Sequence, residues 1–421
     1  MNPRPESAGG FPEWPPGLRA VEVRWLDRVR RVFESHGFGP VATSSLEPPE
    51  EEPGEALAVG DGDLALCADL TASFARWAAD HRDELDLPFR GRQAQRVWRG
   101  SREDGVREST WCALGVVDAA PLSPRLDAEL PRVAHEALSG LDLPAWTLGV
   151  GNRRVLAGFC EGLGVDEPLL VLRAVARLDE LGADRVAQEL RWALTTEQVY
   201  GVLQLAEQRD VAAVRRLGVE SDLLDRGLDE VEAVLAELTD LPEVVPDFSV
   251  VGPDHCAGTV YGGRVAPGAG SAGPWSGGVC SGGRYAGRAG LSGVGLAVDL
   301  GRLFAAAVDA GLVARGPGTP TEVLVVPRAG RYGEAAATAA ALRRGGLNVE
   351  IHHAGVHHTG VHHAGVQHRE DDPAAAVRRA GRLGIPFAWF PPAVDGEAHE
   401  VLDLGSGERV RADPAAWSPR R

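Results

Sequence analysis

Lysine is absent from this sequence of 421 residues, so all 43 basic side chains are arginine. This absence excludes a lysine nucleophile and a Schiff-base mechanism. Acidic residues outnumber basic ones by 60 to 43, which gives a net charge of −17. The excess lies in residues 1–317, because 12 arginines balance 12 acids after that point. The sequence therefore lacks the basic surface typical of DNA-binding proteins, and any contact with RNA has to be local.

Long apolar runs and paired cysteines are also missing. No stretch reaches the ~18 apolar residues of a membrane span, and the first residues do not resemble a secretory signal. The five cysteines are odd in number and never form a C-x-x-C pair. We therefore expect no disulfide framework, no zinc knuckle, no contact with a membrane and a cytoplasmic location.

The chain is long enough for two or three domains. Apolar residues at helical spacing predict a helix over 18–36 and a second one near 70–77. Two extended runs on either side of Gly100–Gly105 predict an antiparallel hairpin. A helical region covers about 157–240, and a Gly- and Pro-rich linker at 314–320 separates a core at 1–313 from a domain at 321–414.

The C-terminal domain alternates short apolar strands with helices. Alternation of this kind predicts a small α/β domain with parallel strands, in which Asp372 caps the last helix. A five-residue repeat rich in histidine occupies residues 352–368. Imidazole is a common metal ligand, yet a period of five matches neither a helix face nor a strand face, so a loop is the preferred interpretation. The candidate metal ligands in this repeat are His352, His353, His357, His358, His362 and His363.

Six sequence blocks occur in an order that resembles the histidyl-tRNA synthetases, a family of class II aminoacyl-tRNA synthetases. The blocks are LCADLTASFARWAA at 66–79, the motif 2-like RQAQRVWRG and GVREST within 92–110, GNRRVL at 151–156, DHCAGTVY at 254–261, SGGRY at 281–285 and the motif 3-like GLAVDLGRLF at 295–304. The resemblance implies an α+β core, with an antiparallel sheet flanked by helices, a helical insertion and a small anticodon-binding-like α/β domain. It also implies ATP and Mg²⁺ as cofactors if the nucleotide site works, and a homodimer for which the apolar stripe from Leu18 to Val32 is a candidate interface.

The resemblance also assigns candidate site residues. Joining a carboxylate to the α-phosphate of ATP concentrates negative charge, which fixed guanidinium groups neutralise. The candidate ATP-binding residues are Arg99, Arg107, Glu108 and Arg302. The candidate amino-acid-binding residues are Asp69, Thr71, Trp111, His255, Cys256 and Arg284.

Several positions depart from the family pattern, and most of them lie in the amino-acid pocket. Val251 replaces an arginine that family members use against the carboxylate and the α-phosphate. His255 and Cys256 replace two tyrosines, Ser109 replaces the aromatic residue expected to stack on adenine, and Gly115 replaces the acid expected to face the imidazole. Losses of this kind remove transition-state stabilisation and selectivity.

The departures lead us to expect a paralogue that is not a competent histidine–tRNA ligase and that acts as a regulatory or partner-binding protein, or binds a small ligand in the remnant site. One alternative is ATP-dependent adenylation of another amino or carboxylic acid, and another is a still active histidine–tRNA ligase. A third is a role like that of the regulatory subunit of ATP phosphoribosyltransferase in histidine biosynthesis. That subunit normally lacks a C-terminal α/β domain. Because the C-terminal domain carries no net positive charge, we expect weak tRNA binding.

Overall fold

The computed structural model of the chain describes residues 12–49, 56–101, 105–252, 255–265, 278–353, 372–394 and 396–419. The helices are α1 Pro16–Ser35, α2 Leu70–Asp80, α3 Leu126–Leu138, α4 Arg153–Gly162, α5 Pro168–Ala176, α6 Leu178–Leu181, α7 Ala183–Leu190, α8 Thr196–Glu207, α9 Val211–Arg215, α10 Asp222–Ala236, α11 Leu300–Asp309, α12 Tyr332–Arg344 and α13 Pro373–Leu383. The strands are β1 Gly39–Pro40, β2 Leu46–Glu47, β3 Ala58–Val59, β4 Leu64–Leu66, β5 Phe89–Ser101, β6 Gly105–Asp118, β7 Trp146–Asn152, β8 Val244–Pro246, β9 Cys256–Val265, β10 Cys280–Ala286, β11 Ser292–Asp299, β12 Val323–Val325, β13 Val349–Ile351, β14 Phe387–Phe390, β15 Glu400–Asp403 and β16 Arg409–Arg411.

The chain divides into two compact units. One contains Glu22–Ala314, and the other contains Trp14–Val21 together with Arg315–Arg421. The described part of the chain contains no helix that is both long and apolar enough to cross a lipid bilayer.

The first unit is built on an eight-stranded sheet with the order β1-β5-β6-β11-β10-β9-β7-β8. Neighbouring strands from β5 through β7 in this order are antiparallel, and the two edge pairs, β1–β5 and β7–β8, are parallel. This arrangement confirms the predicted class II synthetase fold with its large antiparallel sheet. The predicted hairpin is β5–β6, which pairs in continuous register from Phe89↔Val117 to Ser101↔Gly105.

Helices α4 to α10 form the predicted helical region, and they share a core of their own. Buried leucine, valine and phenylalanine side chains of these helices pack together with Phe248 and Val251, which lie just before β9. The spacing of apolar residues in these helices is what buries one stripe of each. The core of the insertion therefore reaches the segment that leads into the candidate site.

The apolar stripe of α1 has a different role from the predicted one. Trp25, Val29 and Val32 are buried within the single chain, and the Trp25 ring packs edge-on against Phe304 with centroids 5.2 Å apart. These side chains are already covered, so this stripe is not an exposed face for a second copy. The predicted use of the stripe as a dimer interface is therefore wrong.

The second unit has a five-stranded sheet with the order β13-β12-β14-β15-β16. The pairs β12–β13 and β12–β14 are parallel, as the alternation of strands and helices predicts. Strand alternation sends Val323 and Val325 into one core with α12, and Leu324 into another with α13. Asp372 accepts a hydrogen bond from the Ala374 amide at 2.9 Å, which makes it the cap of α13.

Candidate functional site

Helix α2 lies close against one face of the large sheet because that face carries glycine at three aligned positions. Gly91, Gly115 and Gly295 are directly opposite one another on β5, β6 and β11. Phe74 packs over the first two, and a side chain at Gly115 would place its Cβ 3.0 Å from the Phe74 ring. Thr71 packs over Gly295 in the same way. We call this side of the sheet the α2 face, and it brings the start of α2 to the sheet surface.

Asp69 occupies the N-cap position of α2. Its Oδ1 atom accepts hydrogen bonds from the amide of Thr71 at 2.7 Å and from that of Ala72 at 3.4 Å. These bonds satisfy amides that the helix itself leaves unpaired. Within the described residues, Oδ2 of Asp69 has no hydrogen-bond partner. The cap therefore fixes the carboxylate and leaves one oxygen for a cationic ligand.

The register of the hairpin puts two of the candidate ATP-binding residues on one face of the sheet and a third on the other face. Arg99 lies opposite Arg107, and both share the α2 face, because residues facing each other across an antiparallel pair point the same way. Glu108 is one residue later and points to the other face. There its carboxylate accepts a hydrogen bond from Trp98 Nε1 at 2.9 Å and pairs with Arg96. Glu108 is therefore not grouped with Arg99 and Arg107.

Trp111 is buried and supports Arg99. The guanidinium carbon of Arg99 lies 4.2 Å from the centroid of the Trp111 ring, and its Nε donates to the Ala68 carbonyl at 2.6 Å. Stacking on an aromatic ring and a short hydrogen bond restrict the side chain to one position. Trp111 thus lies under Arg99 and holds it in place. Its predicted contact with an amino acid stays a prediction.

The start of α11 closes the same end of the site. Asp299 caps this helix by accepting a hydrogen bond from the Arg302 amide at 2.9 Å, and it also accepts one from the Ser109 hydroxyl. Burial raises the pKa of the Asp299 carboxyl, while the Ser109 hydrogen bond and the charges of Arg302 and Arg99 oppose that rise. The side chain of Arg302 itself donates from Nη1 to the Gly278 carbonyl at 3.0 Å. Asp299 lies inside the motif 3-like block, but the sequence does not single it out.

The other end of the α2 face carries Cys256, Tyr285 and His255. Tyr285 is paired in register with Cys256, and both side chains are buried. His255 is exposed, with its ring edge-on to Tyr285 at 6.0 Å between centroids. Burial raises the pKa of the Cys256 thiol to about 12, with a further rise from the charge of Asp69 and a decrease from that of Arg153. A thiol with this pKa stays protonated at neutral pH, so it is not a nucleophile.

Tyr285 is a residue that sequence reasoning missed, although it ends the SGGRY block. Its hydroxyl is buried and has no hydrogen-bond partner among the described residues. Burial also raises the pKa of this hydroxyl, and the charge of Asp69 adds to the rise. A buried hydroxyl without a partner costs free energy, so it is suited to a ligand atom that supplies the missing hydrogen bond.

Arg284 points to the opposite face of the sheet, which we call the α3 face. Its Nε donates to Asp127 Oδ1 at 2.7 Å, and its other nitrogens donate to the carbonyls of Leu122 at 3.3 Å and Ser123 at 2.7 Å. Asp127 is buried on α3 and also accepts a hydrogen bond from Thr259 at 2.9 Å. Arg284 is therefore placed as an anchor between β10 and α3, apart from Asp69 and Thr71.

Of the six candidate metal ligands, the structure describes only His352 and His353. The His353 ring lies 5.6 Å from the Tyr332 ring. The candidates at positions 357, 358, 362 and 363 lie outside the described residues. Among the residues that are described, no three or more His, Cys, Asp or Glu side chains are grouped as a metal site.

Comparison with known proteins shows which family, which relatives and which solved structures this chain is similar to. A family model described as "Histidyl-tRNA synthetase" matches residues 14–303. A histidine–tRNA ligase of Thermobifida fusca (strain YX) is 42% identical over an alignment 450 positions long, which covers 99% of this chain and 98% of the relative. A histidine–tRNA ligase of Micrococcus luteus is 34% identical and covers 99% of this chain and 96% of its own. The solved histidyl-tRNA synthetase from Nostoc sp. PCC 7120 has a TM-score of 0.75 at 26% identity, covering 97% of this chain and 96% of that chain.

Proposed function

Because the chain belongs to the histidyl-tRNA synthetase family, we propose that it is a histidine–tRNA ligase. The observation that carries the proposal is the 42% identity to a histidine–tRNA ligase, extending over 99% of this chain and thus through both compact units. The predicted loss of aminoacylation finds no support in this relative. Of the alternatives that the sequence leaves open, the active ligase is therefore the one we adopt.

The reaction requires two kinds of charge stabilisation. The carboxylate of the amino acid attacks the α-phosphate of ATP, the bond to the β-phosphate breaks, and pyrophosphate leaves. Arg99 and Arg302 supply the fixed positive charge that the phosphates need, and Trp111 holds Arg99 in place. Magnesium would arrive on the phosphates of ATP and neutralise part of their charge.

The amino acid would bind at the start of α2. The Oδ2 atom of Asp69 is directed by the cap to hold an ammonium group. Tyr285 supplies a buried hydroxyl beside Cys256, and His255 borders the same pocket from the solvent side. The acyl group of the resulting adenylate would then pass to a hydroxyl at the 3′ end of the tRNA, as its bond to the phosphate breaks and AMP leaves.

A second candidate is adenylation of a different acid, and one contact favours it. The Phe74 ring fills the space above Gly115, where an acid facing the imidazole would have to extend. Without that acid, the pocket binds an imidazole less tightly and discriminates less sharply between histidine and other amino acids. This candidate shares the fold and the ATP-binding residues with the first, and it differs only in the substrate.

The test is ATP–pyrophosphate exchange with purified, folded protein over the standard amino acids. We expect exchange with histidine, followed by transfer of labelled histidine to tRNA. Exchange with another amino acid and not with histidine would establish the second candidate. No exchange with any amino acid, from protein shown to bind ATP, would contradict both and return the question to a regulatory role.

We also propose that the protein is a homodimer that binds tRNA, as is general for this family. The C-terminal unit is close to neutral, so recognition by it would depend on individual contacts. Light scattering at micromolar protein concentration tests the dimer, and filter binding of tRNA at two salt concentrations tests the contact.

A further inference from the structure

Arg153 reaches the segment at which the family arginine is replaced by valine. It is the first residue of α4, held there by Asn152, which caps the helix. Its Nη1 atom donates to the carbonyls of Val251 and Gly252, each at 3.3 Å. The guanidinium group of Arg153 thus lies beside the backbone of position 251, although it comes from a different strand–helix turn.

Arg153 also lies close to Cys256, because both residues line one cleft. Cys256 is buried and pairs in register with Tyr285 on the α2 face, against which the helix capped by Asp69 packs. The cleft has a volume of about 340 Å³ and is also lined by Leu172, Leu223 and Gly258. A volume of this order is enough for a small molecule. The guanidinium group therefore borders the cleft next to Cys256, a residue on the same face of the sheet as the helix that Asp69 caps.

The chemistry of a free amino acid matches this pair of charges. Its ammonium and carboxylate are attached to the same carbon atom, so a site needs an anion and a cation near each other. We propose that Arg153 binds the α-carboxylate of the amino acid and positions it for attack on ATP, while Asp69 holds the ammonium. This role rests on the proposed function. It places the positive charge of Arg153, from α4, beside the position where Val251 replaces the family arginine.

Other arginines of this unit have different placements. Arg284 lies on the α3 face, paired with Asp127. Arg154, the next residue of α4, pairs with Glu230. Arg99 is stacked on Trp111 at the hairpin. Arg264 and Arg209 also reach the segment before β9, where both pair with Asp247. Arg153 differs from them because it contacts the backbone carbonyls of Val251 and Gly252.

The experiment compares histidine with histidinol, which has the same ammonium and imidazole but no carboxylate. Binding of each is measured by calorimetry to the full-length protein, to Arg153→Gln and to Arg153→Lys. We expect Arg153→Gln to weaken histidine binding at least about tenfold and to leave histidinol binding within about twofold. The lysine variant keeps the charge, so it should recover part of the loss. In exchange kinetics, Arg153→Gln should raise the KM for histidine and not that for ATP.

A matched control is Arg177→Gln, which removes an exposed arginine of the helical insertion that pairs with Glu189. It should change neither affinity. Equal weakening of histidine and histidinol by Arg153→Gln, with a lowered thermal midpoint, would show a structural role and overturn the inference. Unchanged histidine binding in Arg153→Gln would also overturn it. If the unmodified protein binds neither compound and catalyses no ATP–pyrophosphate exchange with histidine, the proposed function itself is wrong, and this role of Arg153 is wrong as well.

Discussion

On the α2 face of the large sheet, the guanidinium of Arg99 lies over the Trp111 ring near Asp299, and α2 presents the Asp69 carboxylate beside it. On the α3 face, Arg284 donates to a buried carboxylate and two backbone carbonyls. Both arginines come from blocks that resemble the family. Arg99 is stacked on an aromatic ring near the start of α2, whereas Arg284 joins a strand to a helix, so matching a block does not by itself place a residue in the site.

The difference arises from strand alternation. One face of the hairpin carries the side chains of Arg99, Arg107 and Trp111, together with Gly115, over which α2 packs. The side chain of Glu108 points to the other face. On β10, Tyr285 is on the α2 face and Arg284 on the other. Candidate site residues and structural anchors therefore alternate along β5, β6 and β10, one residue apart.

The largest effect is expected from Arg99→Gln. The transition state carries dense negative charge, so the loss of one fixed positive charge of the protein should lower kcat/KM for ATP–pyrophosphate exchange by about 10²–10³-fold. The matched control is Arg96→Gln on the same strand, whose exposed side chain pairs with Glu108 on the other face. It should change the rate by less than about twofold. Similar losses in both variants would contradict the division between faces.

The next effect is on stability, from Arg284→Gln. Asp127 would lose its cation while its side chain is only 8% exposed. We expect a loss of about 3 kcal/mol in the free energy of unfolding, the low end for a broken buried pair since Arg284 is itself 22% exposed. Exchange activity per folded molecule should stay within about twofold. Urea unfolding measures the first quantity, and a full loss of activity at unchanged stability would place Arg284 in the site after all.

This variant also has a pH dependence with a definite sign. Burial already raises the pKa of Asp127 above its ordinary value, and the hydrogen bond from Arg284 opposes that rise. Without Arg284 the folded-state pKa rises further, so the folded protein binds the proton more tightly than the unfolded chain does. The destabilisation should therefore be greatest at neutral pH and should shrink as pH falls through the folded-state pKa towards the ordinary value. A penalty that stays constant from pH 7 to pH 4 would exclude this cause.

A smaller effect is expected from Gly115→Ala, which tests how closely α2 lies on its face. The added Cβ would be 3.0 Å from the Phe74 ring, so unfolding should become easier by about 1–2 kcal/mol. Phe74→Leu in the same chain should recover part of the loss. Gly381→Ala on α13, where an added Cβ has no neighbour within 4 Å, should instead stabilise by about 0.5–1 kcal/mol. A destabilisation of the same size in both would contradict the close packing of α2.

The smallest effect is expected at the exposed ion pair of α3, between Arg132 and Asp240. This pairing lowers the pKa of Asp240 to about 2, below its ordinary value of 3.8. Its contribution to stability is present above the ordinary pKa and is lost as pH falls through the folded-state pKa. Asp240→Asn should therefore make the protein slightly less stable at neutral pH, and the difference from the unmodified protein should vanish near pH 2. Acid unfolding followed by circular dichroism measures it.

The local elements were predictable because each depends on neighbours along the chain. The apolar spacing of α2, the hairpin around residues 100–105 and the Asp372 cap of α13 all appear in the structure. Strands β7, β15 and β16 were not predicted. Strand β7 contains two glycines and is defined by its pairing with β9, far away in sequence. Strands β15 and β16 pair with each other locally, but they are short and rich in charged residues, so their sequences do not favour a strand.

By itself, the sequence determined the family resemblance, the alternation of elements and the residue types available for phosphate and amino-acid binding. Only the tertiary structure decided which of them meet. Three contacts join residues that are far apart along the chain. Arg284 meets Asp127 over 157 positions, Phe74 packs on Gly115 over 41, and Arg153 reaches Val251 over 98. Such contacts depend on strand register and on how closely helices pack on the sheet, and neither is encoded in a local motif.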